Sequence, residues 1–267
     1  MLLRVMRLLV LAPVIALAAA PARSASVPIE NASFEAPVID PCGFPVLPYV
    51  AQWREIDLDT QYSTNTGVFA NTPPGSLDRL LNADGNQLAF LGSARGNAFE
   101  QDLAEVYEVG RAYRLTVGVG VSWRFPPSVS EPDTIEIVLY YLEDSNTVDI
   151  VHCTVAAMGW SSLLQDFRTY LPTVQATDAW AGKNIGVAIR ATGSAGGFWV
   201  LDNVRLTELP PPPDFTGDSF VNLEDFAVMA KEWLSCTGTT TDLTGDGCVN
   251  VEDLMILVES WLATVQH

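Results

Sequence analysis

Two acidic segments of twelve residues, offset by 28 positions, constrain this chain more than any other feature. Asp214-Phe-Thr-Gly-Asp-Ser-Phe-Val-Asn-Leu-Glu-Asp225 and Asp242-Leu-Thr-Gly-Asp-Gly-Cys-Val-Asn-Val-Glu-Asp253 are identical at eight of twelve positions. Such a repeat marks one structural unit used twice. Oxygen donors at positions 1, 3, 5 and 12 suit a hard cation, because calcium takes six to eight oxygens at about 2.3–2.6 Å from a tightly curled backbone. In the first loop the expected ligands are Asp214, Thr216, Asp218, the Phe220 carbonyl, Asn222 through a water, and Asp225. In the second they are Asp242, Thr244, Asp246, the Cys248 carbonyl, Asn250 and Asp253. The alternative is that these acidic turns only cap helices. Each segment runs into an apolar stripe at helical spacing: Phe226, Met229, Ala230, Trp233 and Leu234, then Leu254, Leu257, Val258, Trp261 and Leu262. The expectation is two short helices whose stripes bury each other.

These are not ordinary EF-hands. Pro210-Pro211-Pro212-Pro213 cannot form an entering helix, and the Gly/Thr-rich stretch Thr237–Thr241 precedes the second loop. Two loop–helix repeats over residues 214–262 resemble the type I dockerin domain. The resemblance implies a small all-α module, residues 214–267, holding two calcium ions and docking onto a cohesin-type scaffold module. Loop positions 10 and 11 depart from the Ser-Thr type pair common in cohesin binders, being Leu223-Glu224 and Val251-Glu252.

The four prolines at 210–213 read as a stiff spacer, at about 3.1 Å per residue. Before them, residues 27–209 read as short strands: Tyr113–Val119, Thr134–Tyr141, Asp149–Val155, Ile185–Arg190 and Phe198–Leu206. With turn residues between them and no long helical period, they point to a mainly β chain built as a sandwich. Asn31-Ala-Ser-Phe-Glu35, Asp84-Gly-Asn-Gln-Leu-Ala-Phe90, Tyr113-Arg-Leu-Thr-Val117 and Phe198-Trp-Val-Leu-Asp-Asn-Val-Arg-Leu206 together resemble galactose-binding-like jelly rolls. These are the family-4/9 type carbohydrate-binding modules and a related group of calcium-dependent cyclase-like domains. The resemblance implies a structural calcium held by Glu35 and Asp202. The other reading is a surface Glu and a strand-end Asp.

At the N-terminus, Arg4 and Arg7 precede an apolar run, Leu8–Ala20, and small residues follow. This is the layout of a secretory signal peptide, expected over residues 1–24, and the run is too short to span a bilayer. The mature chain is therefore expected outside the cell, where disulfides persist. With 32 Asp+Glu against 14 Lys+Arg, the net charge is -18. That argues against nucleic acid or an anionic membrane as partner.

Four cysteines allow three pairings. Pairing within each domain is simplest, giving Cys42–Cys153 and Cys236–Cys248. Exposed aromatic faces would suit a sugar ligand, and Trp123 with Arg124, at the head of a loop, is the first candidate. Arg54, Gln61 and Tyr62 follow, whereas Trp53 and Trp199 read as core. Glu131, Asp133 and Glu136 carry no catalytic signature, and no nucleophile or phosphate-binding motif is present. The expected protein is a secreted, calcium-binding sandwich that binds a glycan or adheres. The alternatives are an enzyme on the same sandwich, either glycan-active or cyclase-like, and a structural envelope protein.

Overall fold

The computed structural model describes residues 24–40, 46–57, 65–77, 79–122, 126–129, 133–193, 196–209, 212–218, 220–244 and 246–261. Strands occupy β1 Ala25–Val27, β2 Val46–Leu47, β3 Arg54–Ile56, β4 Thr66–Ala70, β5 Gln87–Gly92 and β6 Ala98–Val106. They continue as β7 Ala112–Val121, β8 Thr134–Glu143, β9 Asn146–Ala156, β10 Gln165–Leu171, β11 Asn184–Ala191 and β12 Phe198–Leu209. Helices α1 Leu223–Lys231 and α2 Val251–Glu259 follow. All five strands expected from the sequence are present.

One sheet has the order β10-β7-β12-β5-β4-β2, with β1 pairing the far half of β12; the other runs β3-β6-β11-β8-β9. Every named pair is antiparallel, as in β12 with β7, where Trp199 faces Val121 and Leu206 faces Leu115. Side-chain alternation sends Ile135, Ile137 and Leu139 of β8 into the core. There they meet Leu115, Val117 and Trp199 of the opposite sheet, all buried. The chain is thus mainly β, two sheets closed over one apolar core.

In the tail, Asn222 and Asn250 cap the two helices, each accepting the amide two residues on, from Glu224 and Glu252, at 2.7 Å. Its core differs from the expected pair of stripes. Val221, Met229, Val249 and Leu257 are fully buried, with Phe215, Leu243 and Leu254 against them. Phe226, Ala230, Trp233, Leu234, Val258 and Trp261 are exposed, and Leu262 lies outside the described residues. The stripes run past the nine-residue helices, which stop at Lys231 and Glu259, and valines from the loops supply half of the core instead. Among the described residues, no helix is long and apolar enough to cross a membrane.

Candidate functional site

Three backbone segments far apart in sequence meet at one end of the sandwich. The first is the turn at Asn31–Glu35. Asn31 holds it through its side chain, donating to the carbonyls of Ala36 at 2.7 Å and Ala51 at 2.9 Å and accepting the Ala36 amide at 2.9 Å. Phe34, fully buried, anchors the turn beside Trp53 at 5.4 Å and Phe99 at 5.9 Å between ring centres. The second segment is the turn Asp84–Gln87. Glu35 Oε1 accepts the amides of Asn86 at 2.8 Å and Gln87 at 2.6 Å. Gly85 sits at φ +98°, and a Cβ there would lie 2.5 Å from Glu35 Oε1. Glycine is therefore required both by conformation and by space.

The third segment is β12, whose register slips between Asp202 and Arg205. Such a bulge re-aims side chains. Asn203 takes φ +53°, and the Val204 amide bonds the Ala32 carbonyl at 3.0 Å. Asp202 is fully buried. Its Oδ2 accepts the Asp84 amide at 2.7 Å, while its Oδ1 is buried without a hydrogen-bond partner. Burial pushes its carboxyl up to about 7; the amides of Asn203 and Asp84 oppose the rise, and the charges of Asp84 and Glu35 add to it. A buried carboxylate oxygen with no donor, beside two more carboxylates, is costly for a bare chain. A bound cation relieves that cost, and an all-oxygen donor set suits calcium. The residue types suit the ion. The structure places the Glu35 and Asp202 segments at one end of the sandwich, and it adds Asp84, which the sequence offered only as the first residue of the Asp84–Phe90 segment and not as a ligand.

The outer face of the five-stranded sheet carries a second polar assembly. Glu100, with a side chain 4% exposed, takes Arg54 at 2.5 Å on one oxygen and Arg190 Nε at 2.9 Å on the other. Arg190 also donates to both oxygens of Asp149, at 2.6 and 2.8 Å. Its guanidinium carbon lies 5.6 Å from the centre of the Tyr140 ring, and its Nη2 is buried without a partner. Tyr140 donates to Asp102 at 2.7 Å. Burial, and then that bond, raise its hydroxyl pKa. Glu136 registers opposite Arg190 on the same face. Beside the assembly lies a cleft of about 440 Å³, lined by Glu30, Gln52, Arg54, Glu100, Gln101 and Asp102 among others.

In the tail, one oxygen each from Asp214, Asp218 and Asp225 gather within 4.8 Å of one another. The two loops repeat the same bonds. Thr216 and Thr244 amides reach Asp225 and Asp253 at 3.0 and 2.8 Å. Asn222 and Asn250 side chains reach Asp218 and Asp246 at 3.0 Å in both. Asp225 and Asp253 are fully buried and also close capping boxes on α1 and α2. The Cys236–Cys248 disulfide is formed. The expected Cys42–Cys153 bridge is corrected: Cys153 is a free thiol, packed from β9 against the core, and Cys42 lies outside the described residues. Trp123, Arg124, Glu131, Gln61, Tyr62, Ser219 and residues 1–23 also lie outside them. Trp53 and Trp199 are core, as expected.

The family model described as HpiC1-like, HpiC1 cyclase, matches residues 25–207. The chain belongs to the HpiC1-like cyclase family. The match spans the sandwich and all three segments of the Glu35–Asp84–Asp202 centre, and it stops short of the tail. A cyclase from Fischerella sp. TAU shares this family fold at TM-score 0.54 and 19% identity, over 70% of this chain and 98% of that one. The apo form of a cyclase from Fischerella sp. aligns at 0.55 and 20%, over 70% and 97%. A complex of the Fischerella sp. TAU cyclase with 4-(1H-indol-3-yl)butan-2-one aligns at 0.51 and 19%, over 70% and 98%. No curated protein matches this cyclase-family chain.

Proposed function

We propose that residues 25–207 form a calcium-dependent cyclase-type catalytic domain, exported and held on an extracellular scaffold by a dockerin-like tail. The observation that carries the calcium is the buried, partnerless Oδ1 of Asp202 beside Asp84 and Glu35; family membership supports the activity. Glu35, Asp84 and Asp202 would hold the ion. Its chemistry there would be charge compensation for the three carboxylates. The chain's own part is positional. Glu35 pins the turn leading into β5, and Asp202 pins Asp84 to β12, so the adjacent strands of one sheet are fixed at that end.

A relative's complex holds an indole ketone, so an indole-bearing small molecule is the first substrate class to test. A second reading, glycan binding, is favoured by the cleft beside Arg54, whose carboxylates, amides and guanidinium are the planar polar groups that recognise hydroxyls. Isothermal calorimetry of the whole chain decides between them, using 4-(1H-indol-3-yl)butan-2-one and a panel of soluble oligosaccharides, each with calcium and with chelator. Heat from the indole ketone only in calcium is the expected result. Oligosaccharide binding without indole binding would replace the first reading by the second.

In the tail, Asp214, Thr216, Asp218, Phe220, Asn222 and Asp225 form one proposed calcium loop, and Asp242, Thr244, Asp246, Cys248, Asn250 and Asp253 the other. The matching bonds in the two loops support this. Exposed Leu223-Glu224 and Val251-Glu252 at the helix starts stand where cohesin binders commonly carry a Ser-Thr type pair, so a cohesin-type partner would meet an apolar residue beside a carboxylate in each repeat. Secretion rests on the leader-like first 24 residues.

A further inference from the structure

The two tail loops bond alike but are built differently at position 7. In the first, that residue is Phe220, which is exposed. In the second it is Cys248, bridged to Cys236 across 12 residues. The chain between the two sulfurs contains Asp242, Thr244 and Asp246, and the bridge ends on the residue whose carbonyl is the fourth proposed ligand. On each side of Cys248 the backbone is tied down. Gly247 takes φ +100° and its amide bonds Asp242 at 2.9 Å. Val249 is fully buried and exchanges bonds with the exit of α1: Leu234 amide to Val249 carbonyl at 2.8 Å, and Val249 amide to Ser235 carbonyl at 2.9 Å. Cys236 follows directly. The bridge therefore closes a ring around the first half of loop two and fastens it to α1. Nothing comparable encloses loop one among the described residues.

Building on the calcium reading of the loops, we propose that the Cys236–Cys248 disulfide and calcium in loop two are thermodynamically coupled, so that calcium occupancy of this loop alone is redox-gated. A ring that already restrains the backbone carrying Asp242, Thr244, Asp246 and the Cys248 carbonyl leaves less chain entropy to be lost when the ion binds. A dithiol reductant opens it. The dithiol supplies two electrons and two protons, the S–S bond breaks, each cysteine sulfur becomes a thiol, and the dithiol closes to its own cyclic disulfide. The freed loop then binds calcium more weakly. By linkage, calcium raises the resistance of the bridge to reduction by the same factor. A chain moving between oxidising and reducing surroundings would keep loop one filled and lose the ion from loop two.

The test is calcium chloride titration of the full-length chain carrying Asp202→Asn with either Asp214→Ala or Asp242→Ala, so that one tail loop is left. Each chain is measured oxidised and after a dithiol, and again with Cys236→Ser and Cys248→Ser together. The expected result is at least about tenfold weaker calcium binding by loop two on reduction or in the double serine chain, and no change for loop one. The second measurement needs no cysteine variant: the wild-type bridge is equilibrated in a dithiol/disulfide buffer with and without calcium, and thiols are trapped and counted. Calcium should shift that equilibrium toward the disulfide by the same factor. Loop-two affinity equal in both redox states, or an equilibrium that calcium leaves unmoved, overturns the coupling and leaves the calcium loops standing. A loop two that binds no calcium in either state overturns the calcium reading, and the coupling with it.

Discussion

Asp202 Oδ2 accepts the backbone amide of Asp84 at 2.7 Å, across 118 residues of sequence. That bond ties the last strand of the sandwich to the turn that enters β5, and it leaves the other carboxylate oxygen buried and partnerless. On the proposed calcium reading, such a centre destabilises the calcium-free chain and stabilises the loaded one.

Asp202→Asn should stabilise the calcium-free chain at pH 8 and abolish the calcium response of the sandwich. The sign follows from the raised carboxyl. Folded, Asp202 titrates near 7; unfolded, near 3.9. The calcium-free chain is thus fully favoured below about pH 4 and loses stability as pH rises through 7, by an amount on the order of 4 kcal/mol. Neutral asparagine removes that loss. Thermal melts followed by the β-sheet circular dichroism signal, in chelator and in calcium, check it. A variant that melts lower than wild type in chelator at pH 8 would contradict the account.

Gly85→Ala should damage the same centre from the other side. The new methyl would lie 2.5 Å from Glu35 Oε1, on a residue at φ +98°. The left-handed conformation alone costs about 1–2 kcal/mol, and Glu35 must also move. The melting temperature in calcium should fall by several degrees, and calcium should bind the sandwich more weakly. Unchanged calcium heats would show that Glu35 is not a ligand.

The sandwich was legible in the residues for some strands and not for others. β7, β8, β9, β11 and β12 alternate or run apolar and were readable. β6 was not, because Glu100 and Asp102 interrupt it with charge; Glu100 is tolerated there only because Arg54 and Arg190 hold both its oxygens. Short-range periodicity cannot register a partner ninety positions away. Glu35 and Asp202 were reachable only through the family resemblance, and Asp84 opened one of the resembling segments without being singled out until the fold joined its amide to Asp202. The helix stripes were over-read, since spacing alone does not show that a helix stops after nine residues.

Removal of the arginines on the outer sheet should not be equivalent. Arg54 has a side chain 50% exposed and Arg190 20% exposed, yet both serve Glu100. Solvent screens the first pair more than the second, and Arg190 also carries Asp149 and lies over Tyr140. Arg54→Ala should cost about 1 kcal/mol or less, and Arg190→Ala about 3 kcal/mol or more, since it strands a nearly buried carboxylate. Urea denaturation of the two variants gives the comparison. Equal losses would mean that Glu100 is solvated in solution.

Cys153 should react slowly. Burial raises its thiol pKa, against a smaller lowering by the Arg168 backbone, so less thiolate exists at neutral pH. Alkylation of the folded chain at pH 7.5 should lag well behind that of the unfolded chain, and should speed up as pH rises toward 10. A folded-state rate equal to the unfolded one would place Cys153 on an open edge rather than against the core.

The two tail loops should fill in order, the second before the first. Position 6 of such a loop favours a positive φ, and Gly247 adopts +100° there. The equivalent residue of loop one is Ser219, which lies outside the described residues and pays the left-handed cost of about 1–2 kcal/mol if its loop curls in the same way. That range corresponds to about five- to thirtyfold in affinity. The ligand types are otherwise the same, Asp, Thr, Asp, Asn and Asp in both loops. Ser219→Gly should therefore bring the two affinities closer together while leaving the tighter site unmoved. Calcium titrations of wild type, Asp214→Ala, Asp242→Ala and Ser219→Gly separate the contributions. If the tighter site survives Asp242→Ala, the order is reversed, and position 6 does not set it.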